Sequence, residues 1–453
     1  MPAGPPAGGT AAPQDASAIV RSRGYVSVLV ISALLGVPIS AVAFGFLALV
    51  SELQSLLYHD LPEHLGFHGT PDWWAIGPLA VAGALVALTI RHLPGGGGHK
   101  PAEGLATGGV LSFAMVPGVA LAALTTLGLG AVLGPEAPLI ALGGGLAVGA
   151  ATLLKRDAPP TAVAVIGAAG SFAAISELLG SPLVGAFLLM EAAGLGGPMM
   201  GVVLVPGLLS AGVGSLIFTG LGNWTGLGTF SLALSHVPPV GPPTVGEFAW
   251  AVVAGVAAAF LGEAIRRSSL SLQTVVERHR LPVTVLMGVA VGVIALLYAV
   301  ITDRPVTGVL FSGQDALAPL LADSAGYTAA TLVVLLVCKA LAYSASMSAF
   351  RGGPVFPAVF VGATGGLALS HLPGLGSTAG FAIGIGAMTV AMLKLPLTAV
   401  MLATLLLGAD GLTVMPLVIV GVVVSYVATL HLVRLPAGPA PEAPRPGPTA
   451  PAT

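Results

Sequence analysis

The chain has 453 residues, of which 55% are hydrophobic and only 8% charged, with 16 basic and 18 acidic side chains. Soluble domains carry roughly 25% charged residues, so a soluble protein of this size is excluded. A mean hydropathy of +0.98 points to a polytopic membrane protein. The net charge of −2 offers no basic surface for nucleic acid. The single cysteine, Cys338, excludes an internal disulfide and a thiolate metal site.

In chain order, residues 1–20 are rich in Pro, Ala and Gly and read as a disordered tail. A membrane domain is expected over 21–435, with a second Pro/Ala-rich tail at 436–453. Continuous apolar runs, helical rather than alternating, cover Val26–Leu57, Trp73–Ile90, Phe113–Leu133, Met199–Leu221, Phe248–Ile265, Val283–Ile301, Ala329–Tyr343 and Leu412–Val433. Between them lie shorter pieces: Pro135–Leu154, Ala162–Ile175, Pro182–Ala193, Pro354–Leu369, Phe381–Leu393 and Pro396–Leu407. Several fall below the ~20 residues that span a bilayer, so they are expected to be half-spanning helices. Basic clusters at Arg21/Arg23, Lys155/Arg156, Arg266/Arg267, Arg278/Arg280 and Arg434 place both termini in the cytoplasm by the positive-inside rule.

A duplication organises these elements. Gly134-Pro-Glu136-Ala-Pro138 through Gly143 matches Gly353-Pro-Val355-Phe-Pro357 through Gly362, an offset of 219. Pro182-Leu183 matches Pro396-Leu397 at an offset of 214. Two halves, 25–222 and 244–434, with Pro-started short helices in matching places, are the pattern of a transporter or related channel. A helix that starts at mid-membrane turns free N–H groups and a positive end inward, which suits an anion. Glu136 stands at one such start, and an intramembrane carboxylate is costly enough to imply a function. When ionised it competes with an anion for the same N–H groups; when protonated it yields.

These residues resemble the CLC family of chloride channels and chloride/proton antiporters. The lead-in from Thr126 to Gly134-Pro-Glu136-Ala-Pro138, the segment Ser181-Pro-Leu-Val-Gly-Ala to Glu191, and Gly352-Gly-Pro-Val-Phe-Pro357 each look like a family motif. So do Gly386-Ala-Met to Lys394-Leu-Pro-Leu-Thr and Met415-Pro-Leu-Val-Ile-Val-Gly421. The resemblance runs from about residue 25 to 434. It implies an all-α inverted repeat with broken, half-spanning helices, in a multi-pass homodimer of the cell membrane with one pathway per subunit. It implies no cofactor, and the short C-terminal tail leads to the expectation that the nucleotide-sensing CBS pair of some relatives is lacking.

Carried over by motif, Glu136 is the gating and proton-exchanging group, and backbone amides at Ala137, Val355 and Phe356 line the anion path. The family's serine loop aligns with Gly97-Gly98-His99-Lys100-Pro101, so a glycine replaces the serine at Gly98. The family's inner tyrosine is missing, since no tyrosine follows Tyr426. Gly98, His99 and Lys100 are therefore candidate anion ligands, with Lys100 or His99 replacing the lost attraction. Pro354 removes a donor, and Ala192 stands where the family has a proton-transfer glutamate, which leaves Glu191 as the candidate proton route. The expected partners are a small inorganic anion (chloride or a relative), protons and lipid. The expected function is anion transport coupled to protons, with passive conduction or a non-chloride anion as alternatives. An intramembrane enzyme is disfavoured because no His-Glu-x-x-His pattern and no base beside a buried nucleophile occurs. The histidines lack metal-ligand spacing.

Overall fold

A computed structural model of the chain describes residues 20–433, except 106–110, 155–157, 195, 197, 233, 235 and 236. The expected tails, apart from Val20, lie outside the described residues, as do Lys155, Arg156 and Arg434. Seven helices among the described residues are long and apolar enough to cross a membrane.

The first half comprises α1 (Arg23–Ser55), α2 (Ile76–His92), α3 (Val116–Gly128), α4 (Glu136–Leu154), α5 (Pro160–Ala174), α6 (Pro182–Ala192) and α7 (Pro198–Thr225). A π turn at Leu56–Asp60 and one more turn at Leu61–His64 prolong α1. The second half comprises α8 (Val245–Arg278), α9 (Arg280–Thr302), α10 (Gln314–Ala322), α11 (Ala329–Ala349), α12 (Val355–Leu369), α13 (Ser377–Leu393), α14 (Pro396–Leu406) and α15 (Ala409–Leu432). Helices α1, α5 and α7 pack together in the first half as α8, α13 and α15 do in the second.

Small residues set the crossings, because lipid offers no hydrophobic drive between helices and close packing must supply the attraction. A Cβ on Gly143 of α4 would lie 2.3 Å from the Gly170 carbonyl oxygen of α5. A Cβ on its repeat mate Gly362, on α12, would likewise lie 2.3 Å from the Gly384 oxygen of α13. Between α2 and α9 the approach is equally close: a Cβ on Gly288 would lie 2.1 Å from the Leu79 oxygen.

Three elements depart from the sequence reading. The apolar run Phe113–Leu133 is not one helix: α3 ends at Gly128, and an irregular segment leads to Glu136. Gly130, at φ +104, makes that break, and the Tyr58 hydroxyl donates to the Leu129 carbonyl at 2.8 Å. Helix α10 was not expected; it is short and buries only Leu317, Leu320 and Leu321, so no apolar run announces it. Helix α8 also continues well past Ile265, its Glu263 holding Arg266 and Arg267 at 2.7 and 2.5 Å.

The ends of the bundle differ in charge. One end gathers the start of α1, the ends of α2, α8 and α15, and the start of α9, and carries Arg23, Arg91, Lys100, Arg266, Arg267, Arg278 and Arg280. At that end the Arg267 guanidinium reaches the Leu432 carbonyl at 2.9 Å. The other end has Arg304 alone among described lysines and arginines, beside Asp60, Glu63, Asp72, Asp303 and Asp323.

Candidate functional site

The starts of α4 and α12 meet at the centre of the molecule. Gly134 and Gly353, repeat mates by sequence, exchange two backbone hydrogen bonds of 2.8 and 2.6 Å in an antiparallel bridge. Side chains from each half brace the loop of the other. The Val132 N–H donates to Ser346 Oγ at 3.0 Å, and the Arg351 N–H donates to Thr126 Oγ1 at 3.3 Å. Val132 and Arg351 are repeat mates at the offset of 219, and Thr126 and Ser346 fall one residue off it, so the crossing is itself close to two-fold. The Tyr343 hydroxyl fixes the second loop by donating to the Pro354 carbonyl at 2.7 Å. Extended, irregular backbone persists at depth because protein encloses it and satisfies its polar groups.

Glu136 sits inside this crossing, fully buried. Its Oε1 accepts from the N–H of Val355 at 2.5 Å, the residue 219 positions away that occupies its own place in the other half. Its Oε2 has no partner among the described residues. The first N–H groups of a helix have no intrahelical acceptor, so the carboxylate takes a donor that α12 leaves free. Phe356, the next residue of α12, is also fully buried and packs at the crossing.

Two open cavities approach Glu136 from opposite sides. One, of about 800 Å³, reaches Leu133 and Pro135 and is walled mainly by α1, residues 227–231 and the 305–319 segment. The other, of about 470 Å³, reaches Ala137 and Pro138 and lies towards the basic end. Residues 135 and 137 thus face different cavities, and the carboxylate of Glu136 stands between them.

Gly98 and His99 line the smaller cavity. Gly98 adopts φ +97, a conformation that favours glycine over the serine usual in the aligned motif, and its N–H is spent on the Gly95 carbonyl at 2.9 Å. The His99 Nε2 is 2.7 Å from the Gly104 carbonyl. Lys100 departs from expectation. Its Nζ lies 2.7 Å from Glu277 and 3.2 Å from Glu103, and it does not line the cavity. The hydrogen bond that Lys100 donates to Glu277 pushes its pKa above the ordinary lysine value, so the ammonium is charged and already neutralised. Two carboxylates, 3 and 177 residues away in sequence, claim the charge that the sequence reading assigned to an anion.

Glu191 is engaged as well. Its carboxylate accepts from the N–H groups of Leu397 and Thr398 at 2.9 and 2.7 Å and from the Thr398 hydroxyl at 2.6 Å. The physical reason lies in the repeat. Helix α6 is capped by its own Ser181, which accepts from the Leu183 N–H at 3.2 Å. The matching position before α14 is Leu395, which has no oxygen to offer, and Glu191 supplies one from the first half.

Sequence reasoning passed over Arg351, directly before the Gly352-Gly-Pro segment. It is 6% exposed and lines the smaller cavity. The available signal was the cost of placing a guanidinium within a membrane protein next to a helix start. No group of three or more potential metal ligands occurs among the described residues.

The family model described as voltage gated chloride channel matches residues 82–430. A YfeO protein of Escherichia coli (strain CFT073), named for ion transport, is 29% identical over 358 residues, covering 78% of this chain and 81% of its own. Its counterpart in Shigella boydii serotype 4 is 29% identical over the same length. Among solved structures, a slow cyanobacterial Cl⁻/H⁺ antiporter superposes with a TM-score of 0.70 at 18% identity, over 90% of this chain and 95% of that one. A CLC-type fluoride/proton antiporter gives 0.60 at 18% identity, over 89% and 96%. A eukaryotic CLC transporter gives 0.67 at 16% identity, over 90% and 74%.

Proposed function

Since the chain belongs to the voltage gated chloride channel family, whose members move anions across membranes, we propose that it exchanges a small inorganic anion for protons with Glu136 as the gate. One observation carries this reading: a buried carboxylate between two open cavities, bonded to a backbone N–H at the start of the opposing half-helix. Ionised, Glu136 occupies the donor at Val355 and closes the path between the cavities. Protonated, it loses the charge that makes it a strong acceptor, and an anion takes the N–H groups of α4 and α12 in its place. Ala137, Val355 and Phe356 are the backbone positions that then face the anion. Each return of Glu136 to its donor releases the proton to whichever cavity the side chain left.

The working unit is the membrane domain at 21–435, in a homodimer of the cell membrane with one pathway per subunit. The basic end faces the cytoplasm, which puts both termini there; the excess of arginine and lysine at that end supports this orientation. Chloride is the first anion to test, and the fluoride/proton antiporter among similar structures makes fluoride the second.

Passive conduction is the competing reading, favoured by the three hydrogen bonds that occupy Glu191, the nearest acid to the family's inner proton site. Liposomes holding purified protein separate the two. With a chloride or fluoride gradient imposed and external pH recorded, uphill proton movement is the expected result, abolished by Glu136→Gln while anion flux persists. Anion flux without proton movement in the unmodified protein would establish passive conduction instead.

A further inference from the structure

The cavity of about 470 Å³ on the basic side of Glu136 is lined by three polar side chains among the described residues: His99, Ser171 and Arg351. No carboxylate among the described residues lines it. Ser171 has spent its hydroxyl hydrogen on the Ile140 carbonyl at 2.9 Å, and the His99 Nε2 is at the Gly104 carbonyl. Arg351 is different. A guanidinium has five N–H donors in a planar fork. Here Nε donates to the Gly96 carbonyl at 3.2 Å and Nη1 to the Phe350 carbonyl at 3.1 Å, which leaves donors on Nη1 and Nη2 without a protein partner among the described residues. Arg351 also makes no ion pair among those residues, although it is 6% exposed. The nearest acidic pair, Glu103 and Glu277, is held by Lys100.

A buried, unpaired cation is costly, and it persists where a counter-charge visits it. The two carbonyl bonds orient the guanidinium; they do not neutralise it. The neighbouring backbone is built to admit it, since a Cβ on Gly97 would lie 3.3 Å from Arg351 Cγ. We propose that Arg351 is the cationic ligand of an anion-binding subsite in this cavity, where a monovalent inorganic anion rests on the spare guanidinium donors before or after it passes Glu136. The subsite takes over the attraction that a serine and a tyrosine give in the aligned family motifs. Its planar fork accepts a spherical halide and a planar oxyanion alike, so chloride, fluoride and nitrate are the probes. The inference rests on the reading of the chain as an anion transporter.

The test is equilibrium binding of these three anions to detergent-purified protein by titration calorimetry, paired with flux in liposomes. Arg351→Gln is expected to weaken binding by about tenfold or more, the scale of losing a charged hydrogen bond. Arg351→Lys keeps the charge but not the fork, and is expected to keep binding within a few-fold while changing the order of affinity among the three. If Arg351→Gln does not fold, the lysine variant decides. Unchanged affinity and unchanged order of anions in Arg351→Lys, or unchanged affinity in a folded Arg351→Gln, would overturn the subsite. Absence of binding and flux for all three anions in the unmodified protein would instead overturn the transport reading on which the subsite stands.

Discussion

The two halves of the chain share a backbone plan and divide its chemistry unequally. At the central crossing, Gly134 and Gly353 pair with each other, and Val132 and Arg351 bond to hydroxyls on mirrored helices. Yet the carboxylate belongs only to the first half, where Glu136 faces Val355, and the guanidinium only to the second, where Arg351 faces Val132 in the repeat. Packing differs too. Thr378–Leu393, nearly all of α13, is buried, whereas α4 and α5 keep a face on the smaller cavity. Duplication thus supplies a symmetric frame of inward-facing helix starts, and single side-chain differences give that frame a carboxylate in one half and a cation in the other.

If the frame is common to both halves, damaging it in either half has the same result, and this is the largest effect expected. A Cβ on Gly366 would lie 1.9 Å from the Gly380 oxygen, and one on Gly143 2.3 Å from the Gly170 oxygen. Gly366→Leu and Gly143→Leu should each cost about 3 kcal/mol or more by overpacking. Size-exclusion profiles and thermal melts in detergent check this; tolerance of one substitution but not the other would break the equivalence of the crossings.

The chemical asymmetry comes next. Glu136→Gln should reduce proton movement per anion at least about tenfold, while Val355→Gln, at the matching place in the other half, should leave a measurable proton flux. Equal loss in both would mean that the crossing as a whole, and not its single carboxylate, carries the proton.

The caps give a smaller effect. Glu191→Ala removes the carboxylate that accepts from the Leu397 and Thr398 N–H groups at the start of α14 and should destabilise by about 1–2 kcal/mol. Ser181→Ala, at the self-capped α6, should cost about 1 kcal/mol or less. Thermal melts rank them, and a lost proton flux in a fully stable Glu191→Ala would return that residue to the proton route. Smallest of all is Lys100→Met. It breaks a partly exposed pair between the α2–α3 loop and α8, and should cost less than about 1 kcal/mol with anion affinity unchanged. Weakened anion binding in a stable Lys100→Met would restore Lys100 as a ligand.

The sequence by itself determined the membrane class, because scarce charge and long apolar runs have no soluble solution. It also determined the duplication and the place of Glu136 at a helix start, because Pro, Gly and a carboxylate at one turn are local signals. The tertiary structure decided which partners those residues meet. Glu136 finds the N–H of Val355 across 219 residues. Lys100 is taken up by Glu277, Glu191 by the start of α14, and Arg351 is left with spare donors beside a cavity. Helical periodicity reports only which residues share a turn or a face. The neutralisation of a charge depends on which distant helix the packing of small residues brings within 3 Å, and that is settled only when the two halves close on each other.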